Sequence, residues 1–213
     1  MTRSDARLSR EQVIRAARAV LSAAGPDAPV DEIARRAGVG AATIYRHFPD
    51  KKALIHFVCV DALTTTARLA RDMARQEPDP GRALRAYMRR ALDWGAGSML
   101  SSVLGHIPRT QELTAALHDH DEAIGLLLRN AQRAGAVRGE ISVGDLSLLL
   151  TCLARLPGSN PALRQRYLTV VLDGMRPVPD AEALPGPVPA HEDMERLLFR
   201  SPARELSPDT ADT

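Results

Sequence analysis

The residues best equipped for chemistry are Thr43, Tyr45, Arg46 and His47, which stand within five positions, with Lys51 and Lys52 close behind. Together they offer hydroxyl, guanidinium, imidazole and ammonium donors. Donors of this kind mostly hold phosphate oxygens and fix register, while the few groups that reach base edges choose sequence. Gly40, Ala41 and Ala42 come immediately before them and have little or no side chain, so this stretch can approach another surface closely. The two lysines are the only ones among 28 basic residues.

Other chemistry is hard to find. There is no glycine loop with a lysine to cradle phosphate, no nucleophile elbow, no paired CxxC and no HExxH. His118-Asp119-His120-Asp121-Glu122 is the one cluster with metal-ligand residue types. On a helix His118 lies near Asp121 and Glu122 while His120 points elsewhere, so a solvated helix face explains the run more simply than an ion does. No metal, cofactor or enzymatic activity is expected. Cys59 and Cys152 are far apart and stand among apolar neighbours, where thiols are usually inert; their spacing fits a reducing cytosol better than a disulfide framework.

The donors need elements to position them. In VDEIARRAG the residues Val30, Ile33, Ala34 and Ala37 recur on one helical face, and Gly38 supplies a stop. The next segment, AATIYRHF, ends at Pro49, and the residue before a proline is pushed out of helical geometry. Ile44 and Phe48, four apart, face away from the donors and anchor this second helix in the core. Two short helices joined by a glycine-containing turn match a helix-turn-helix unit that lays its second helix in a DNA major groove. A small helical hairpin with a solvated polar face fits the same pattern.

The run IARRAGVGAATIYRHFPDKKAL resembles the DNA-binding signature of the TetR family of bacterial one-component regulators. Alanine-glycine-valine, then threonine-isoleucine-tyrosine-x-histidine-phenylalanine, then a lysine and an aliphatic residue stand at the family's spacing. The likeness covers about residues 9–56. It implies that Thr43, Tyr45, His47 and Lys51 contact phosphates and that Ala41, Ala42 and Tyr45 lie nearest the bases; Gly40, Arg46 and Lys52 complete the expected DNA-binding set. Two positions depart from the pattern: Gly40 stands where a capping serine is common, and Pro29 where the preceding helix usually has a serine or threonine.

The rest of the chain reads as helices. Aromatics are only 3% and β-branched runs are absent, which favours an all-α protein. Ser9 and Gln12 form a capping-box pattern ahead of a stripe of Val13, Ile14, Ala17, Val20 and Leu21. A long helix from Asp50 to about Gln76 follows the hairpin; further helices are expected at about 82–94, 109–134, 142–156 and 161–175, with a short helix of kinked ends within GAGSMLSSVLGHIP at 95–108. The last has Leu163, Tyr167, Val170, Val171 and Met175 as its stripe. Seven of the fifteen prolines lie from Pro177 onward, a composition that suits an extended or disordered tail, with one short helix possible at 191–200. The expected organisation is an N-terminal three-helix DNA-binding domain over 1–52, a helical effector-binding and dimerisation domain over 53–176, and a tail over 177–213.

Charge is uneven in the same sense. Residues 1–55 hold 10 Lys/Arg against 6 Asp/Glu, and residues 56–213 hold 18 against 20. A basic excess at one end suits a nucleic-acid-binding module beside a neutral domain. The longest apolar run, Leu146 to Ala154, falls short of the ~20 residues of a membrane span, so a soluble cytoplasmic protein is expected.

The resemblance further implies a homodimeric regulator, a repressor bound to a near-palindromic double-stranded DNA operator and released by a small-molecule effector. By the same resemblance Phe57, Tyr87, Met88, Trp94, Met99, Leu100 and Leu104 line an apolar effector pocket; each fits ordinary core packing equally well. The last two main helices would form the dimer contact, or simply core. The alternatives are a ligand-independent DNA-binding repressor or architectural protein, and a helical enzyme with an incidental hairpin.

Overall fold

The computed structural model describes residues 3–156, 160–180 and 182–189, with side chains described from Arg10 onward except at positions 96 and 98. Among these residues the fold is all-α with no strand. The helices are α1 (Arg3–Ala24), α2 (Val30–Ala37), α3 (Ala41–His47), α4 (Lys51–Gln76), α5 (Pro80–Trp94), α6 (Ala96–Val103), α7 (Gln111–Arg133), α8 (Val143–Ala154) and α9 (Pro161–Gly174). Short 3-10 turns at Gly25–Asp27 and Leu104–His106 follow α1 and α6.

Local signals set most boundaries. The Asp50 carboxylate accepts from Ala53 N at 2.7 Å to open α4, Asp79 accepts from Arg82 N at 2.8 Å to open α5, and Thr110 accepts from Leu113 N at 3.1 Å to open α7. Ser142 and Asp145 form a full capping box on α8, with Asp145 N donating to Ser142 Oγ and Ser142 N to Asp145 Oδ2. Each such cap stabilises its helix by about 1 kcal/mol. Gly38, at φ 70°, turns left-handed to close α2 and reverse the chain into α3.

The first helix differs from its expected start. It begins at Arg3, so Ser9 lies inside it and opens nothing. No glycine or proline stands between Arg3 and Gly25, and nothing halts the helix there.

Two buried cores share α4. Its first half, Leu54 to Leu63, packs with α1 (Val13, Ala17, Leu21), with Ile33, Ile44 and Phe48 of the hairpin, and with Met99 and Val103 of α6. Its second half, Ala67 to Met73, packs with Leu84, Tyr87 and Met88 of α5, Ile124 and Leu127 of α7, Leu146 of α8, and Leu168 and Leu172 of α9. By length and composition α4, not the run at 146–154, is apolar enough to cross a membrane. Here it is the shared core helix, lying along α7 for much of its length.

The α9 stripe divides in two. Leu168, Leu172 and Met175 are buried, whereas Leu163, Tyr167 and Val170 are 38%, 47% and 61% exposed on the opposite side. The apolar residues of α9 therefore serve two faces. Beyond Met175, residues 182–189 run irregularly back over the α7–α8 loop. Arg138 Nη2 donates to the Glu182 carbonyl at 2.6 Å, and Leu184 N donates to Glu140 Oε1 at 3.3 Å. The short helix expected at 191–200 lies outside the described residues.

Candidate functional sites

The donor-bearing helix is short and firmly seated. Ile44 and Phe48 hold α3 against the first core at 1% and 4% exposure. Phe48 meets Phe57 at 5.5 Å between ring centroids, and the Arg10 guanidinium lies 4.3 Å over the Phe57 ring. With that face buried, the helix turns the other one outward. Gly40, Ala42, Tyr45 and Arg46 are exposed, Tyr45 by half, while Ala41, Thr43 and His47 are partly covered. Arg46 Nη2 donates to Thr43 Oγ1 at 3.0 Å, linking two of the donors one turn apart. Among the described residues His47 Nε2 is buried with no hydrogen-bond partner, a cost of about 1–3 kcal/mol. Lys51 and Lys52 follow in the first turn of α4, with Lys51 partly covered and Lys52 exposed. All nine expected DNA-binding residues thus fall within α3, its N-cap and the start of α4.

The second site is a cavity of about 360 Å³ among α4, α5, α6, α7 and α8. Of the seven residues expected in an effector pocket, Tyr87, Leu100 and Leu104 line it. Met88 and Met99 are instead fully buried in the two cores, and Phe57 is part of the hairpin's aromatic packing. Trp94 lies beneath the Arg18 guanidinium, 4.1 Å from the ring centroid.

Sequence reasoning missed most of the remaining wall: Leu63 and Thr66 from α4, Leu117, His120, Asp121 and Ile124 from α7, and the inner face of α8 from Ser142 to Thr151. One signal was available. In α7 the buried stripe Leu113, Leu117, Ile124 and Leu127 is interrupted at the cavity by the pair His120-Asp121. A polar pair inside an apolar stripe marks a lined space as readily as a solvated face. Neighbouring residues of the run do face outward, Asp119 pairing with Arg71 at 3.0 Å and His118 lying 3.4 Å from Glu122. Among the described residues no group of three or more His, Cys, Asp or Glu is placed to hold a metal.

The cavity's electrostatics are simple. His120 Nδ1 and Asp121 Oδ1 are 3.1 Å apart. Burial pushes the Tyr87 phenol well above its usual range, and the Asp121 charge adds to the effect, so the phenol is neutral. The Thr66 hydroxyl donates within α4 to Ala62 O at 2.9 Å, and Thr151 donates within α8 to Ser147 O at 2.9 Å. The two cysteines have different settings: Cys59 is buried, which pushes its thiol up to about 12, whereas Cys152 is exposed, contrary to expectation.

Known proteins match both halves. Residues 13–58 match the profile of bacterial regulatory proteins of the tetR family, and residues 79–177 that of the C-terminal domain of SbtR-like transcriptional regulators. A TetR transcription regulatory protein from Mycobacterium vanbaalenii is 36% identical, with a TM-score of 0.57 over 82% of this chain and 98% of its own. The TetR transcriptional regulator SCO0520 from Streptomyces coelicolor is 32% identical, with a TM-score of 0.58 over 79% of this chain and 98% of its own. The fatty acid degradation regulator FadR from Bacillus halodurans, at 20% identity and a TM-score of 0.55 over 78% of this chain and 100% of its own, shares the fold. No curated protein matches. With a TetR-type hairpin at one end, an SbtR-like helical domain at the other and relatives above 30% identity spanning most of the chain, the protein belongs to the TetR family of bacterial transcriptional regulators.

Proposed function

We propose that the protein is a homodimeric repressor whose two α3 helices enter successive major grooves of a near-palindromic operator, about 34–36 Å apart. A small molecule in the cavity releases it. Residues 1–52 form the DNA-reading module and residues 53–176 the effector and dimerisation domain, with α4 belonging to both cores.

The observation that carries this reading is the course of α4. Its first turn holds Lys51 and Lys52 just past the end of α3, and further along the same helix Leu63 and Thr66 form cavity wall. Twelve residues of α-helix span about 18 Å, so a ligand pressing on Leu63 acts on a rigid lever that ends at the phosphate-contacting lysines. Ligand and DNA each favour a different spacing of the two hairpins, and linkage makes the antagonism reciprocal. Exposed Leu163, Tyr167 and Val170 on α9 supply an apolar stripe for a partner copy, and a bundle of α8 and α9 from two chains would cover it.

The test is fluorescence anisotropy with duplexes tiling the DNA that flanks the coding region, repeated with a metabolite panel. Tight, salt-sensitive binding to one duplex that a panel member reverses supports the reading. Tight binding that no compound reverses, with no compound shifting the melting temperature, favours a ligand-independent repressor.

A further inference from the structure

We propose that residues 182–189 are a gate on the cavity: a stiff strap, tied to the α7–α8 loop, whose far end at Pro189 closes a side through which a ligand passes. This rests on the cavity being the effector site and names the segment that controls entry to it.

The strap reaches the cavity directly, since Pro189, well beyond α9 in sequence, is part of its lining. On α4 and α5 the lining residues Leu63 and Tyr87 are buried. Ser142, Gly144 and Ser147 at the start of α8 are partly exposed, and so is Pro189. The cavity therefore meets solvent along α8, and the strap lies at the end of that side where α8 begins.

The tie is at the strap's other end. In the α7–α8 loop Arg138 and Glu140 form an ion pair at 2.9 Å. The Arg138 guanidinium donates to the Glu182 carbonyl at 2.6 Å, and the Glu140 carboxylate accepts from Leu184 N at 3.3 Å, so one pair holds two backbone groups of the strap. Arg138 N donates to the Met175 carbonyl at 2.9 Å, which fixes the loop to the end of α9.

Between tie and cavity the chain reads Leu184-Pro185-Gly186-Pro187-Val188-Pro189. Each proline locks φ at about −65°, which leaves few torsions free to turn. Gly186, at φ 85°, supplies a bend in the region that favours glycine. Such a segment swings as a unit. Its side chains give it little hold on the fold, because Leu184 and Val188 are exposed. A segment held by surface hydrogen bonds, with few buried apolar groups, belongs to the low-stability end of a structure, from which gates are drawn.

The probe is N-phenyl-1-naphthylamine, an uncharged apolar fluorophore that brightens on leaving water. Its association and dissociation are followed by stopped flow with five forms. These are the full-length protein, full-length Arg138→Ala/Glu140→Ala, a chain ending at Asp180, a chain ending at Pro189, and Ser147→Trp, which fills the cavity from α8. Both shortened chains keep the two buried cores, which extend to Met175. Leu100→Trp replaces the filled variant, and Glu140→Ala the double one, if either melts early. A gate hinders passage both ways, so untying or removing it should raise both rate constants about fivefold while the affinity moves less. The chain ending at Pro189 should behave as wild type, and the filled cavity should bind nothing. Binding by the untied and Asp180 forms alone supports the gate equally. Wild-type rates in the chain ending at Asp180, a rise in dissociation alone, or fast exchange already in the chain ending at Pro189 each overturn the gate. The effector site stands in those cases if Ser147→Trp still abolishes binding. Exchange that the Asp180 chain quickens and the double variant does not overturns the tie at Arg138 and Glu140. Binding unchanged in Ser147→Trp, or no binding by any form, overturns the effector site and the gate together.

Discussion

Arg18 lies over the face of Trp94, its guanidinium carbon 4.1 Å from the ring centroid. Arg18 belongs to α1 of the DNA-binding end, and Trp94 is the last residue of α5 before the chain turns at Gly95, φ 72°, into α6. Among the described residues the guanidinium Nη1 is buried without a hydrogen-bond partner, and desolvation lowers the Arg18 pKa. The ring face therefore supplies much of what water would have given. From this point α6 sends Gly97 and Leu100 to the cavity and Met99 and Val103 to the first core. The stack is a second joint between the two sites, beside α4.

A double-mutant cycle on Arg18→Met and Trp94→Leu should give a coupling of about 1 kcal/mol. Each single variant should melt a few degrees lower, at about 2–4 °C per kcal/mol. Ligand-induced release of DNA should weaken in both, more than ligand affinity without DNA does. Additive effects on melting and unaltered release would mean that the stack is only surface packing.

Tyr45→Ala and Lys51→Ala should weaken operator binding while barely moving the melting temperature, because Tyr45 is half exposed and Lys51 is only partly covered. Lys51→Ala should also lower the slope of log affinity against log salt by about 1. Ile44→Ala is the contrast: it removes a side chain at 1% exposure and should cost about 2–5 kcal/mol of stability. Loss of folding in Tyr45→Ala would reassign that residue to the core.

Tyr167→Arg or Val170→Glu should convert a dimer into a folded monomer, as judged by sedimentation velocity. Both residues are exposed on α9 and contribute little to the chain's own core. Operator affinity should fall with the dimer, since one hairpin makes half the contacts. A dimer that survives both changes places the interface elsewhere.

Cys59 should resist iodoacetamide at pH 8 in the native protein, because burial holds its thiol near 12 and leaves almost no thiolate. Cys152 is exposed on α8 and should be alkylated, more slowly as dimer forms over it. Peptide mapping by mass spectrometry reads both sites in one experiment.

Much of the fold was legible because its signals are local. Gly38, Pro49, Asp50, Ser142 and Pro161 act through their own backbone geometry or cap, and each stands where a helix starts or ends. The donor face of α3 was legible for a similar reason: Ile44 and Phe48 fix which side is buried, and the remainder must face out. The cavity was not. Met88, Met99 and Trp94 have the composition of a pocket wall, yet whether an apolar side chain meets a space or another side chain depends on how α4 to α8 cross, which no single helix encodes. The one local clue, His120-Asp121 within a buried stripe, reads equally as a metal cluster or a wet face until the opposite wall is seen.

The most direct measurement of the central claim is a hydroxyl-radical footprint on the DNA flanking the coding region, at low salt, with wild-type protein and Tyr45→Ala. Two protected patches about one helical turn apart, related by a near-palindrome and lost in Tyr45→Ala, are the expected result. Uniform weak protection without symmetry, or a pattern that Tyr45→Ala leaves intact, would contradict the entry of paired α3 helices into the major groove.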